Sequence, residues 1–198
     1  MMYWLCKSSP RYRSVSDDKS FVCWLDDCCS VCGRNLGHIE YNSPIHYFEL
    51  YDRGKIFPDF LEYHGRGERW LVLSKRALEV FAAEGISGIQ DTEQVVIVDD
   101  YPDMPEYYIV HVSGRIDYSF KRMFLKKKKI CVACGQFDWN RQRHYPVYLD
   151  LNTWNGEDIC LLTSSTGVKL CSEKVKKVVK KHKLTGFGFE EFQTVSDE

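Results

Sequence analysis

Nine cysteines stand in a chain of 198 residues, and four of them form two knuckles of the same design. Cys29-Ser30-Val31-Cys32-Gly33 comes early, and Cys131-Val132-Ala133-Cys134-Gly135 follows beyond the middle. A C-x-x-C turn supplies two thiolates, and the glycine after it lets the backbone turn with positive φ. Two such turns would make a closed four-cysteine zinc site at Cys29, Cys32, Cys131 and Cys134. That site has no open position for a catalytic water, so the one Zn²⁺ it implies is structural. Cys28 is an alternative to Cys29, because adjacent cysteines leave the register open. Thiol–disulfide exchange is the rival chemistry. A redox C-x-x-C opens a helix, whereas loop-like residues follow both glycines here. A third alternative is a chain that has lost the metal and simply buries its thiols. An odd cysteine total excludes complete pairing within the chain, and Cys6, Cys23, Cys160 and Cys171 sit in apolar contexts as small core residues.

No other constellation suggests catalysis. The six histidines have no H-E-x-x-H spacing, and there is no G-x-S-x-G, phosphate loop or dinucleotide fingerprint. Adjacent acids such as Asp26-Asp27 face opposite ways in a strand. The expected protein is not an enzyme.

The elements that must position the knuckles come in two copies. Ser74 to Gly88, "SKRALEVFAAEGISG", aligns without gaps on Ser172 to Gly186, "SEKVKKVVKKHKLTG". Each copy reads as a helix capped by its serine, with apolar residues at helical spacing and an exit through a hydroxyl residue and glycine. A strand-like run precedes each, at 69–73 and 167–171, and further strands are expected at 94–98, 107–112, 145–151 and 158–162. Cys29 precedes Ser74 by 45 positions and Cys131 precedes Ser172 by 41. The expected architecture is therefore α+β in a single domain, residues 1–198. Two pseudo-repeats, about 21–114 and 115–198, would each carry strands and a capped amphipathic helix and be joined by the zinc site.

Charge is distributed unevenly beneath a formal net value of -1. From Ala77 to Gly114 there is no lysine or arginine, whereas the final helix is crowded with lysine. The acidic segment, with Asp91, Glu93, Asp99, Asp100, Tyr101, Asp103, Glu106, Tyr107 and Tyr108, is a candidate face for a basic protein partner. The lysine run could instead meet phosphate, which makes a zinc-knuckle nucleic-acid-binding or regulatory protein the alternative function. That reading is not favoured, since the basic helix lacks the arginines that read bases bidentately. No apolar run is long enough for a membrane span, and the first residues do not form a secretory signal. A cytoplasmic location with reduced cysteines is expected. Nothing sets the oligomeric state.

The two knuckles, the strand–serine–helix unit ending "GISGI" and its echo ending "LTGFGFEEF" resemble the bacterial double-CXXCG motif proteins. That family includes immunity proteins of contact-delivered and polymorphic toxin systems. The resemblance implies an immunity protein that binds and neutralises a cognate toxin domain, with the four cysteines as zinc ligands.

Overall fold

A computed structural model describes residues 2–7, 9, 11–19, 22–25, 28–31, 38–41, 45–51, 55–64, 70–98, 101–119, 131–133, 148–162 and 168–195. In chain order the strands are β1 (Met2–Lys7), β2 (Ser14–Asp17), β3 (Val22–Leu25), β4 (His38–Tyr41), β5 (His46–Leu50), β6 (Phe60–Tyr63) and β7 (Leu71–Ser74). Helix α1 (Lys75–Ala83) follows, then β8 (Ile89–Ile97), β9 (Tyr107–Val112), β10 (Gly114–Tyr118), β11 (Tyr148–Asp150), β12 (Ile159–Leu162) and β13 (Lys169–Ser172). Helix α2 (Glu173–Lys181) and β14 (Phe187–Val195) complete the order.

These strands form two closed six-stranded barrels, β2-β5-β8-β9-β7-β6 and β1-β13-β12-β10-β11-β14, with β3 and β4 as a separate antiparallel pair. The α+β expectation is thereby corrected. The chain is mostly β, and its two nine-residue helices do not cover an open sheet. The expectation failed because closure depends on pairings that no local pattern records. Two parallel pairs close each barrel, β5–β8 with β2–β6 in one and β11–β14 with β10–β12 in the other. Strand β2 also hides its nature, since the short polar run Ser14-Val15-Ser16-Asp17 buries Ser14 and Asp17 as well as Val15.

The two barrels have one topology. Starting at β6 or β12 and moving round the ring, the pairings are antiparallel, antiparallel, antiparallel, parallel, antiparallel and parallel in both. Helix α1 links β7 to β8 as α2 links β13 to β14. Among the described barrel strands, the rings differ in which strand pairs with the one after the helix. In the first barrel β9 fills that place, directly after β8. In the second, β1 fills it from the other end of the described chain, between β13 and β14.

Alternation along the strands sorts side chains to two destinations. Leu61, Val72 and Ile109 fill the first barrel, and their neighbours Phe60, Leu71 and Val110 face out toward the second. In the second barrel Cys160 and Leu170 point inward, while Ile159 and Cys171 join the shared cluster. The apolar stripes of both helices sink into this middle layer, with Ala77 and Phe81 from α1 and Val175, Val178 and Val179 from α2.

A reciprocal polar latch crosses the same interface. Asp59, just before β6, accepts from the Ser74 hydroxyl at 2.8 Å and from the Thr185 backbone N–H, in the other half, at 2.8 Å. Asp158, just before β12, accepts from the Ser172 hydroxyl at 2.6 Å and from the Ser87 backbone N–H at 3.1 Å. Each carboxylate also meets a cation two residues past its serine, Arg76 at 2.9 Å and Lys174 at 3.1 Å. The serines differ in one respect. Ser74 caps α1 by accepting from the Ala77 N–H, whereas Ser172 makes no side-chain cap and spends its hydroxyl on Asp158. Two glycines let the exit turns press against the opposite half. Gly88 (φ 92°) and Gly186 (φ 90°) are left-handed, and a Cβ would fall 2.2 Å from the Ile159 carbonyl oxygen at the first and 2.5 Å from that of Phe60 at the second.

Apolar packing and this paired latch join the halves, with Lys181 and His182 of the second half also meeting Glu84 of the first. The expectation of a zinc joint is not what the fold displays at this interface.

Candidate functional site

The described parts of the knuckles, 29–31 and 131–133, lie outside helix and strand, and Cys29 and Cys131 converge from opposite halves of the sequence. Their Sγ atoms are 3.6 Å apart. That is far beyond a disulfide bond of about 2.05 Å. It is close to the edge of a thiolate tetrahedron, which is about 3.8 Å for four sulfurs at zinc bond length. Cys29 is buried and Cys28 exposed, so Cys29 is the member of the adjacent pair that faces Cys131. Cys32 and Cys134 lie outside the described residues. Among the described residues no three histidines, cysteines or acids are grouped so as to hold a metal. Val31 and Val132, at the knuckle tips, are 63% and 94% exposed, so the turns project into solvent.

The remaining described thiols belong to the core. Cys160 and Cys171 are fully buried, and the Cys160 thiol donates to the Glu157 carbonyl. Burial pushes the Cys160 thiol up to about 12, which suppresses thiolate chemistry. Cys171 is raised by the same cause.

Several members of the acidic segment make contacts within the protein. Tyr107 is buried inside the first barrel, where its hydroxyl donates to the Pro58 carbonyl, and it offers nothing to a partner. Burial pushes its phenol well above the ordinary tyrosine value. Glu106 pairs with Lys75 at 3.2 Å and accepts from Tyr108 at 3.0 Å, so its carboxyl is held low by Lys75 first and Tyr108 second. Tyr101 lies edge-on to Phe57, with the Arg13 guanidinium 4.5 Å from its ring centre. Asp91 and Asp103 are exposed, and Asp99 and Asp100 lie outside the described residues.

Glu93 is the unexpected member. Its two oxygens meet His46 on β5 at 2.6 Å and His111 on β9 at 2.5 Å. Alternation places all three on the inward parity at one end of the first barrel, where Trp70 packs edge-on to His46. Burial raises the Glu93 carboxyl and the two imidazoles lower it further, for a net lowering. The scattered histidines carried no sequence signal for this cluster, because three different strands bring its members together. Asp59 and Asp158 were missed for a related reason. Each stands one residue before a strand, 15 and 14 positions before its serine, and only the fold reveals what it holds.

The sequence model of the Imm11 immunity protein family matches residues 9–194. The chain belongs to this family of immunity proteins. No curated protein matches it. The Imm11 match spans both barrels and both helices, and among the strands only β1 lies before it. Imm11 membership carries the immunity assignment and implies a cognate toxin as partner. The more specific likeness to double-CXXCG proteins is a separate matter from this match. No described helix of this Imm11 chain is long and apolar enough to cross a membrane.

Proposed function

We propose that this protein neutralises one cognate toxin domain in the cytoplasm by binding and occluding it, with no reaction of its own. The observation that carries the reading is the Imm11 match over nearly the whole chain. The deeply buried thiols and the internally paired acids support a binding scaffold over a catalytic site. The test is coexpression of the full chain with the toxin domain encoded beside its gene. Survival that depends on the immunity gene is the expected result. Continued killing in the presence of soluble protein would sink the proposal.

The double-CXXCG resemblance belongs to the same proposal. Cys29, Cys32, Cys131 and Cys134 would together hold one structural zinc, and the 3.6 Å approach of Cys29 to Cys131 supports that donor set. When bound, the ion would stiffen the two loops without supplying chemistry. Elemental analysis of protein purified without chelators should find about one zinc per chain. Cys131→Ser should lose most of it. A zinc-free, folded wild type would contradict this clasp while leaving toxin binding to stand.

A further inference from the structure

Because the two halves share one topology, each is a control for the other. What both copies have is what the scaffold needs; what only one has calls for another cause. The inward stripes match, with Ala77, Val80 and Phe81 corresponding to Val175, Val178 and Val179, and both exit turns are alike. The outward faces do not match. Residues 75–85 carry Lys75, Arg76, Glu79 and Glu84 and sum to zero. The corresponding 173–183 carry six lysines against Glu173, a net of +5 with His182 neutral. Glu79, Ala82 and Gly85 of the first copy are replaced by Lys177, Lys180 and Lys183 of the second.

Half of these lysines have structural work. Lys174 binds Asp158, Lys181 binds Glu84, and Lys176 lies over the Tyr3 ring. Lys177, Lys180 and Lys183 are exposed and form no ion pair among the described residues. Lys177 and Lys180 stand three apart on α2, and Lys183 follows just past its end, so like charges are set near one another. Lys183 adds backbone strain. It sits at φ 52°, in the left-handed region, where the first copy uses Gly85 at φ 63°. A strained, mutually repelling cluster that the duplicate half does without points to a role outside folding.

We propose that Lys177, Lys180 and Lys183 form the docking face of this protein, and that the toxin domain presents a complementary acidic face to them. The inference rests on the immunity reading above and adds the surface and the partner's charge. A folded acidic protein suits this face better than a nucleic acid does. The cluster has no arginine for bidentate phosphate or base contacts, and a chain of net charge -1 has no broad field to attract a polyanion.

The experiment first compares three full-length proteins, with an arginine variant as a fourth, against the purified, catalytically inactivated toxin domain from the neighbouring gene. They are the wild type, K177E/K180E/K183E, and a control that reverses the exposed Lys19 and Lys55 on the first half. Wild type and control should associate at rates that fall with salt. The triple variant should melt like the wild type, associate roughly 10-fold or more slowly at low salt, show little salt dependence and fail to protect in coexpression. K177R/K180R/K183R should keep protection. A folded triple variant that binds and protects like the wild type overturns the docking face and leaves the immunity reading intact. Unchanged toxin binding with lost retention of duplex DNA would reassign the face to nucleic acid and likewise overturn it. Failure of the wild type itself to bind the toxin domain would bring down the occlusion reading and this inference with it.

Discussion

Deletion of residues 1–7 should abolish cooperative folding of the second barrel, although the deleted strand lies more than a hundred residues from its partners. Strand β1 pairs with β14 over six positions and with β13 over three, so its loss opens a closed ring and bares two edges. Met2, Tyr3 and Leu5 are 1%, 4% and 2% exposed, and burying three such side chains is worth about 5–8 kcal/mol. That is comparable to the whole stability of an ordinary domain, about 5–15 kcal/mol. The Tyr3 hydroxyl also donates to Glu173, and the Tyr3 ring lies under the Lys176 ammonium, so α2 loses two supports with the strand. The expected readouts are loss of the cooperative melt, rapid proteolysis of 114–195 and aggregation through the exposed edges. A rescue follows from the first barrel, where β9 follows β8 across the nine residues 98–106. Moving residues 1–7 behind β14 on a linker of similar length should restore the melt, because the strand then occupies the same slot by the shorter route. A truncated chain that melts as sharply as the full one would refute the closure argument.

This strand also marks where the sequence stopped being legible. The helices were readable because their information is local: a serine, an apolar stripe at helical spacing and a glycine exit all fall within fifteen residues of Ser74 or Ser172. The near-equal spacing from knuckle to helix was readable too, and Cys29 and Cys131 do meet. Barrel closure was not readable, because its parallel pairings and the β1 slot join segments with no shared local pattern. The strands were also short, and several, such as Leu71–Ser74 and Ile159–Leu162, are buried at every position, which erases the alternation that identifies a half-exposed strand. The internal partners of the acidic segment were not legible from charge alone. A run of acids looks unpaired in sequence, yet His46 and His111 pair with Glu93, and Lys75 pairs with Glu106 on the surface.

Asp59→Ala should be the most destabilising change to a polar side chain at the interface, at about 3–5 kcal/mol. The Asp59 side chain is 7% exposed, and its loss strands the Ser74 hydroxyl and both the N–H and the hydroxyl of Thr185. The Arg76 contribution is small, since that side chain is 56% exposed and screened by water. Asp158→Ala should cost less, about 2–3 kcal/mol, because its carboxylate is 14% exposed and its bonds to Ser87 are longer. A double-mutant cycle separates a crossed latch from two local ones. Asp59 should couple strongly to Thr185 and negligibly to Ser87, and Asp158 the reverse. The pH dependence gives an independent check on Asp158. Burial raises its pKa, but Ser172, the Ser87 N–H and Lys174 together lower it further, so the folded value lies below the ordinary one. A carboxylate lowered on folding stabilises fully above its unfolded value and loses that contribution as the pH falls through the folded value. The gap between wild type and Asp158→Ala in denaturant unfolding should thus be full near neutrality and shrink below about pH 4. A gap that stayed constant into stronger acid would mean the residue acts through shape alone, and that the charge on the latch contributes nothing to holding the two barrels together.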